Sequence, residues 1–514
     1  VRHGLLFFHR IFAILAALQF GLALEALAWP PTYGLEFNLQ SNELHSAWSR
    51  RVREKGDAAQ EPTAQDEHRL ASGLVEKLRE ACLPDCQVTE IPNGKFGLTE
   101  WKFTFASGFD FTVSVDPGTV ELQVGPWNLE GWKKFTPEIQ KWLFDFTKAR
   151  GFTYKPQRFQ ENSAHLNIGL NSAVDADGRL FARYLADYWQ HPELGSGILG
   201  DDSFNAPLLG DLSEEQRREA KVILENVNSQ RLRPGDVARQ VERRVYTKSP
   251  QHDSAGHHYQ SVGLKYVTRT QSLRGESDGD LPFEFRANRQ PLSAEQTLLQ
   301  LELQERRLTY LKSLENQPVL LNLELVVPNR AMTRAAKRDR VTGFYLYLEE
   351  MGLGSEFERF RKLLDADHKN IHPWAFVHGK INWTNQDEVQ ALERFAKRAR
   401  QSPAMLAIVK AALLQPEAAE SPAARKILAQ LGDLALDPSY PEQAVAALNR
   451  SLSPAEDPLC NACVAVGESP AWKQQQETQD FLKKFQAMKP TEMKKAPGFW
   501  SACQAFFGLL PKSP

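Results

Sequence analysis

The stretch WKFTFASGFDFTVSVDPGTVELQV, residues 101–124, holds three strand candidates in succession: Trp101–Ala106, Phe109–Val115 and Thr119–Val124. Each is rich in the aromatic and β-branched residues that suit a pleated, half-buried surface. Ser107-Gly108 and Asp116-Pro117-Gly118 separate them as turn signals, so the segment reads as consecutive antiparallel hairpins. A helix follows, with Thr136 as its cap, Pro137 in its first turn, Ile139, Trp142, Leu143 and Phe146 facing the core, and Gly151 ending it. Upstream, Pro30-Pro31 precedes a strand-like run from Tyr33 to Leu39, and Leu70, Leu74, Val75 and Leu78 mark one face of a helix.

Downstream, His165 to Leu170 alternates as a short strand. Leu180, Phe181, Tyr184, Leu185, Tyr188 and Trp189 then predict an amphipathic helix broken at Pro192. Residues 212–260 are polar, with Arg/Glu helical character, and read as an insertion. Strands resume at Val262–Thr268 and Pro282–Arg286, and Leu292–Leu314 reads as a long helix. Strands clustered without regular βαβ alternation define an α+β fold: a curved antiparallel sheet with flanking helices over residues 29–330. From residue 331 to 514 the texture changes to Ala/Leu/Glu/Arg-rich segments punctuated by Pro, a mainly helical C-terminal region.

The bulk numbers leave disorder and multispanning membrane classes without support: 514 residues, 42% hydrophobic and 25% charged. A net charge of −2 argues against a general nucleic-acid binder. Residues 1–28 combine Arg2 and Arg10, an apolar run from Ile11 to Leu24, and Ala26-Leu27-Ala28 at the positions a signal peptidase reads. They predict a secretory signal peptide, export to a periplasm or the cell exterior, and no stable membrane span after cleavage. In an oxidising compartment, Cys82/Cys86 and Cys460/Cys463 read as local disulfide clips, with Cys503 able to pair with either C-terminal cysteine. A zinc site or a thioredoxin-like site is less well supported by such distant pairs.

Four strand segments carry polar pairs at i, i+2 in otherwise apolar surroundings: Glu36/Asn38, Glu121/Gln123, His165/Asn167 and Glu284/Arg286. Alternation puts both members of a pair on one face. If the four strands share a sheet, one face gathers carboxylates, an imidazole and a guanidinium, and such a face cannot be buried dry. A hard divalent cation bridging to phosphate oxygens resolves the charge, with the arginine left to neutralise phosphate. Taken singly, a strand Glu is an ordinary solvent-facing residue and His165 an ordinary rim histidine; the order and chemistry of the set favour a site.

The order G-x-E, then Asp116, Glu121 and Pro126 spaced along one segment, then H-x-N-x-G and E-x-R, across roughly residues 33–290, resembles the glutamine synthetase-like carboxylate–amine ligases, nearest the amidoligase group. The resemblance implies ATP and Mg²⁺ or Mn²⁺ as cofactors. It also implies an amino acid or peptide substrate whose carboxylate becomes an acyl phosphate, and an amine that captures it as an amide. Carried over by position, Glu36, His165 and Glu284 would hold the cation between the terminal phosphates. Arg286 would contact the γ-phosphate, and Glu121 would ligate a cation on the acceptor side. The family's first strand usually reads G-x-E-x-E and its third motif H-x-H. Asn38 therefore removes an anionic ligand, for which Asp116 is a possible substitute, and Asn167 bears on nucleotide or substrate positioning. Arg269, Lys265, Arg274, Asn288 and Arg289 are further phosphate or carboxylate clamp candidates, each more readily read as an ordinary solvent-facing side chain, and His257-His258 reads as an exposed loop.

An ATP-dependent ligase with an export signal carries a conflict, since ATP is not supplied outside the inner membrane. Delivery to an ATP-containing compartment resolves it. So does an exported, catalytically degenerate protein of the same fold that binds a peptide or amino acid. An uncleaved anchor fits worst, because positive residues before the apolar run would place the domain outside.

Overall fold

In the computed structural model the alternation of residues 101–124 becomes three neighbouring strands, β3 (Glu100–Phe105), β4 (Asp110–Asp116) and β5 (Thr119–Trp127). The structure describes residues 30–44, 46, 50, 65–94, 97–116, 118–154, 163–174, 178–194, 208–246, 260–264, 267, 281–326, 334–365, 368–399, 402–413, 415, 417–418 and 421–431. Residues 1–29, with the predicted signal peptide, lie outside these, as do Cys460, Cys463, Cys503, His257, His258, Lys265, Arg269 and Arg274.

The hairpins extend into an eight-stranded sheet. It is completed by β1 (Tyr33–Leu39), β2 (Cys86–Ile91), β6 (Ser163–Gly169), β7 (Val262–Gly263) and β8 (Pro282–Arg289). Its order is β2-β3-β4-β5-β1-β6-β8-β7, and every neighbouring pair is antiparallel. One face is apolar throughout: Leu35 and Phe37 on β1, Phe103, Phe111, Leu122, Leu166, Phe283 and Phe285 are all buried. Helices cover it. Helix α1 (Gln65–Cys82) joins β2 through the Cys82–Cys86 disulfide, and α2 (Leu129–Lys134) is capped by Asn128, whose side chain accepts from the Gly131 amide. Trp132 on α2 donates its indole N–H to the Tyr33 carbonyl at 2.9 Å.

Thr136 does not cap. Its hydroxyl donates to the Trp132 carbonyl at 3.0 Å, because a helical turn already precedes it. The chain then runs through a π-helical stretch, Ile139–Asp145, whose Trp142 and Phe144 pack on Phe105 (5.3 Å) and Phe37 (5.8 Å). Widening the helix turns Phe144 inward, and Phe146 is only half-buried.

Helix α3 (Arg179–Gln190) is buried on every side from Leu180 to Gln190, so the expected solvent-facing stripe is absent. Tyr184 and Tyr188 pack on Phe283 (5.6 Å) and Phe285 (4.9 Å). Its outer side is covered by α4 (Glu214–Glu225), α5 (Pro234–Arg244) and α6 (Ala294–Ser313). Residues 212–246 are thus part of the core layering, with Ile223, Leu224, Val237 and Val241 buried. The buried polar groups of α3 are paired at long range. Arg307 of α6 donates through Nε to Asp187 at 2.6 Å and lies 4.0 Å over the Tyr184 ring, while Arg183 donates to the Gln317 carbonyl at 2.6 Å. Of the strand expected over Val262–Thr268, Val262 and Gly263 pair with β8 among the described residues.

The chain divides into two compact units, the first running to Arg330 and including Lys362–Asp365. The second is helical in its described residues: α7 (Arg334–Glu350), α8 (Gln386–Arg398), α9 (Pro403–Leu413) and α10 (Pro422–Leu431). Its core gathers Trp374, Phe376, Leu392, Phe395 and Ile427, and Trp374 donates its indole N–H to Asp339 at 2.6 Å. No helix among the described residues is long and apolar enough to cross a membrane.

Candidate functional site

The four motif-bearing strands lie side by side as β5-β1-β6-β8. In the register, Glu36 faces Gln123 on one side and His165 on the other; Asn38 faces Glu121, Gly34 faces Asn167, and Asn167 faces Glu284. Residues directly opposite across antiparallel strands project from the same face. All eight polar members of the four pairs therefore stand on the face opposite the aromatic layer.

At its centre, His165 Nδ1 donates to Glu36 Oε2 at 2.6 Å and lies 3.2 Å from Glu284 Oε1. Arg286 donates to Glu284 Oε2 at 3.0 Å, and Asn167 Nδ2 donates to Glu36 Oε1 at 3.3 Å. The cluster is sheltered, with the side chains of His165 and Glu284 11% and 2% exposed. Burial and the Arg286 charge push the His165 pKa down, but Glu284 and Glu36 outweigh them and hold it at about 9 against an ordinary 6.5. Burial also opposes the Arg286 charge, and Glu284, then Glu36 and Asp116, more than restore it, raising its pKa.

A proton held more tightly when folded stabilises fully below the unfolded pKa of 6.5, and that contribution is lost as pH rises through about 9. The melting temperature of the cation-free protein is expected to fall across this window, and His165→Asn to flatten the fall. An unchanged pH profile in the variant refutes the assignment.

The donor set suits a divalent cation. One oxygen each from Glu36 and Glu284 and one nitrogen from His165 lie within 4.8 Å of one another. Two carboxylates with one imidazole accommodate Mg²⁺ or Mn²⁺, the latter taking the nitrogen more readily. His165 must surrender its proton to act as a ligand, so cation binding there would release a proton.

Glu121, the fourth expected ligand, stands outside the trio. Its Oε1 accepts from Gln123 Nε2 at 2.6 Å, and in register it lies between Asn38 and Ser114. Ser114, unremarked in the sequence, is fully buried, and its hydroxyl has no hydrogen-bond partner among the described residues. Gln290 is the other residue the pattern did not mark. Its side-chain amide accepts from the Asn38 N–H at 2.9 Å and donates to the Asn38 C=O at 2.8 Å, extending the ladder at the end of β1. Of the further clamp candidates, Asn288 is buried, and Arg289 donates to the Leu363 carbonyl at 3.5 Å.

A cavity of about 240 Å³ adjoins the cluster, lined by Gly34, Glu36, Gln123, Gly125, Asn167 and Pro282 among others. Gly125 is required there: its φ is +89°, and a Cβ would lie 2.7 Å from the Tyr33 carbonyl oxygen. No known family model, curated protein or solved structure matches this chain.

Proposed function

We propose that this protein is an ATP-dependent carboxylate–amine ligase of the amidoligase kind, with a glutamine synthetase-like catalytic domain. The observation that carries the reading is the convergence of Glu36, His165 and Glu284, with Arg286 beside them, on three contiguous strands. Glu36, His165 and Glu284 would hold Mg²⁺ or Mn²⁺. The bound cation would neutralise charge on the terminal phosphates of ATP.

In this reading Arg286 offers its guanidinium to the γ-phosphate, to which a substrate carboxylate oxygen bonds as the bond to ADP breaks. The amine nitrogen then bonds to the acyl carbon, phosphate leaves, and the nitrogen gives up a proton. Glu121, kept close by Gln123, would act on the acceptor side, and Arg269 remains a nucleotide-clamp candidate. The substrate is an amino acid or peptide. The Cys82–Cys86 disulfide supports an exported protein.

Mg²⁺ with millimolar ATP is expected to raise the melting temperature, as any ligand selective for the folded state does. ADP should accumulate when carboxylate and amine substrates are present. A folded protein that shows no shift refutes the ligase. One feature favours the second reading, an exported binding protein that has lost catalysis. With Asn38 in place of a carboxylate, the acceptor side has one anionic ligand fewer, while the charges of Glu36 and Glu284 are matched by His165 and Arg286. That reading predicts amino-acid or peptide binding without any response to ATP.

A further inference from the structure

The strand ladder is interrupted at His165, in the middle of the cluster. Ala164 of β6 opposes Asn288 of β8 and Leu166 opposes Phe285, so His165 stands against two residues, Arg286 and Ala287. That is a bulge, which breaks the ladder locally and lets its strand bend. The Arg286 N–H donates to the Ser261 carbonyl at 3.0 Å, away from β6. On the other side, β6 accompanies β1 as far as the pair of Glu36 and His165. Pairing through β6 therefore sets the spacing of β1 and β8 only loosely where Glu36 and Glu284 project.

Gln290 supplies a second tie. It follows β8 directly, is 3% exposed, and bonds both backbone groups of Asn38, accepting from the N–H at 2.9 Å and donating to the C=O at 2.8 Å. Asn38 lies two residues beyond Glu36, where continued pairing would bring Ser163 of β6. Reversing the amide would set N–H against N–H and oxygen against oxygen, so its orientation follows from its partner. One side chain thus joins the strand of Glu36 to the strand of Glu284, past the end of the ladder between them. Ligand atoms that must stay within 4.8 Å of one another tolerate little spreading of those strands. Partners that hold a metal's ligands in place are worth about 10–100-fold in affinity.

We propose that Gln290 is a positioning residue for the cation site: by tying β8 to β1 over the start of β6, it sets the separation of the Glu284 and Glu36 carboxylates. The inference rests on the cation site of the ligase reading, and cation binding is measurable without nucleotide or turnover.

The test titrates the full chain with Mn²⁺ by calorimetry, well below each variant's melting temperature, and reads the waters on the bound ion from water-proton relaxation. Gln290→Met fills much the same space with neither bond. It should bind Mn²⁺ about tenfold more weakly or worse, and the bound ion should carry an additional water where a carboxylate has drawn away. Gln290→Asn, an amide one methylene too short to span both Asn38 groups, should weaken binding in the same direction, and it carries the test if Gln290→Met does not fold. Gln190→Met is the control. Gln190 is also a buried glutamine bonded to backbone, donating to the Leu320 carbonyl at 3.1 Å and accepting from the Asn322 N–H at 2.9 Å, on α3 behind the aromatic face. Its loss should lower the melting temperature and leave Mn²⁺ affinity and hydration as in the parent. Parent-like Mn²⁺ binding in the folded Gln290 variants overturns the inference alone, and so does equal weakening in Gln190→Met, which would make the effect one of general stability. A parent that binds no Mn²⁺ overturns the cation site and this inference together. A parent that binds Mn²⁺ and never responds to ATP loses the ligase and keeps the role of Gln290.

Discussion

Glu284→Gln should abolish the ATP-dependent rise in melting temperature and leave Mn²⁺ binding undetectable by calorimetry at concentrations that saturate the parent protein. Glu284 offers one of three converging atoms that would hold the cation, and its removal leaves one carboxylate and one imidazole, too few to hold a hard cation against water. Turnover, where substrates support it, should drop by about 10²–10³-fold, the scale on which single groups that stabilise transition-state charge act. The substitution also withdraws a charge on which Arg286 and His165 both rely, at 3.0 and 3.2 Å. Removing one partner of a buried ion pair costs about 3 kcal/mol or more. For a unit of this size that is a fall of roughly 6–10 °C. Near-ultraviolet circular dichroism below the new melting temperature separates loss of the site from loss of the fold. A folded variant that binds Mn²⁺ like the parent would remove Glu284 from the site.

The site was legible because its signal is local to each strand. A polar residue at every second position of a short apolar run announces a two-faced strand and marks eight residues, among which only the resemblance singles out Glu36, His165 and Glu284. Glu121 shared the signal yet stands apart from the trio, because the register sets it opposite Asn38 rather than Glu36. Register between strands distant in sequence is carried by no single segment. The hairpins of residues 100–127 were readable for the opposite reason, since their turns fix their pairing.

The other departures share one physical cause: groups satisfied by distant partners. An amphipathic helix over Arg179–Gln190 implies a polar side towards water, but the Gln317 carbonyl, Arg307 and the Leu320 carbonyl take Arg183, Asp187 and Gln190 inside. Strand β2 escaped notice because only Cys86 in CQVTEI is buried, as suits an edge strand with a single neighbour. Gln290 gave no signal at all. Its work is to complete a backbone ladder, and any sequence ending a strand could contain a glutamine.

Arg286→Met should act in the opposite sense to Glu284→Gln at one step and the same sense at the next, which no general loss of folding can imitate. Methionine fills much of the arginine volume but withdraws a buried positive charge beside Glu284. A divalent cation at the trio would then meet less repulsion, and although His165 holds its proton harder too, exchange of a single proton charge for a double charge still gains. Mn²⁺ affinity is therefore expected to be retained or tightened. Phosphate recognition should fail. If the guanidinium contacts the γ-phosphate, the parent is stabilised more by ATP than by ADP, and in Arg286→Met the two nucleotides become equivalent. Turnover should fall by about 10³–10⁵-fold, the range over which an arginine acts on a transferring phosphoryl group. Arg286→Lys restores the charge without the planar fork and should recover only a small part of the loss. Turnover within tenfold of the parent in Arg286→Met, or an ATP preference that survives it, would leave Arg286 as the counter-ion of Glu284 and nothing more. Retained cation binding with lost ATP preference would instead separate the two halves of the site, the carboxylates and imidazole for the cation and the guanidinium for the phosphate.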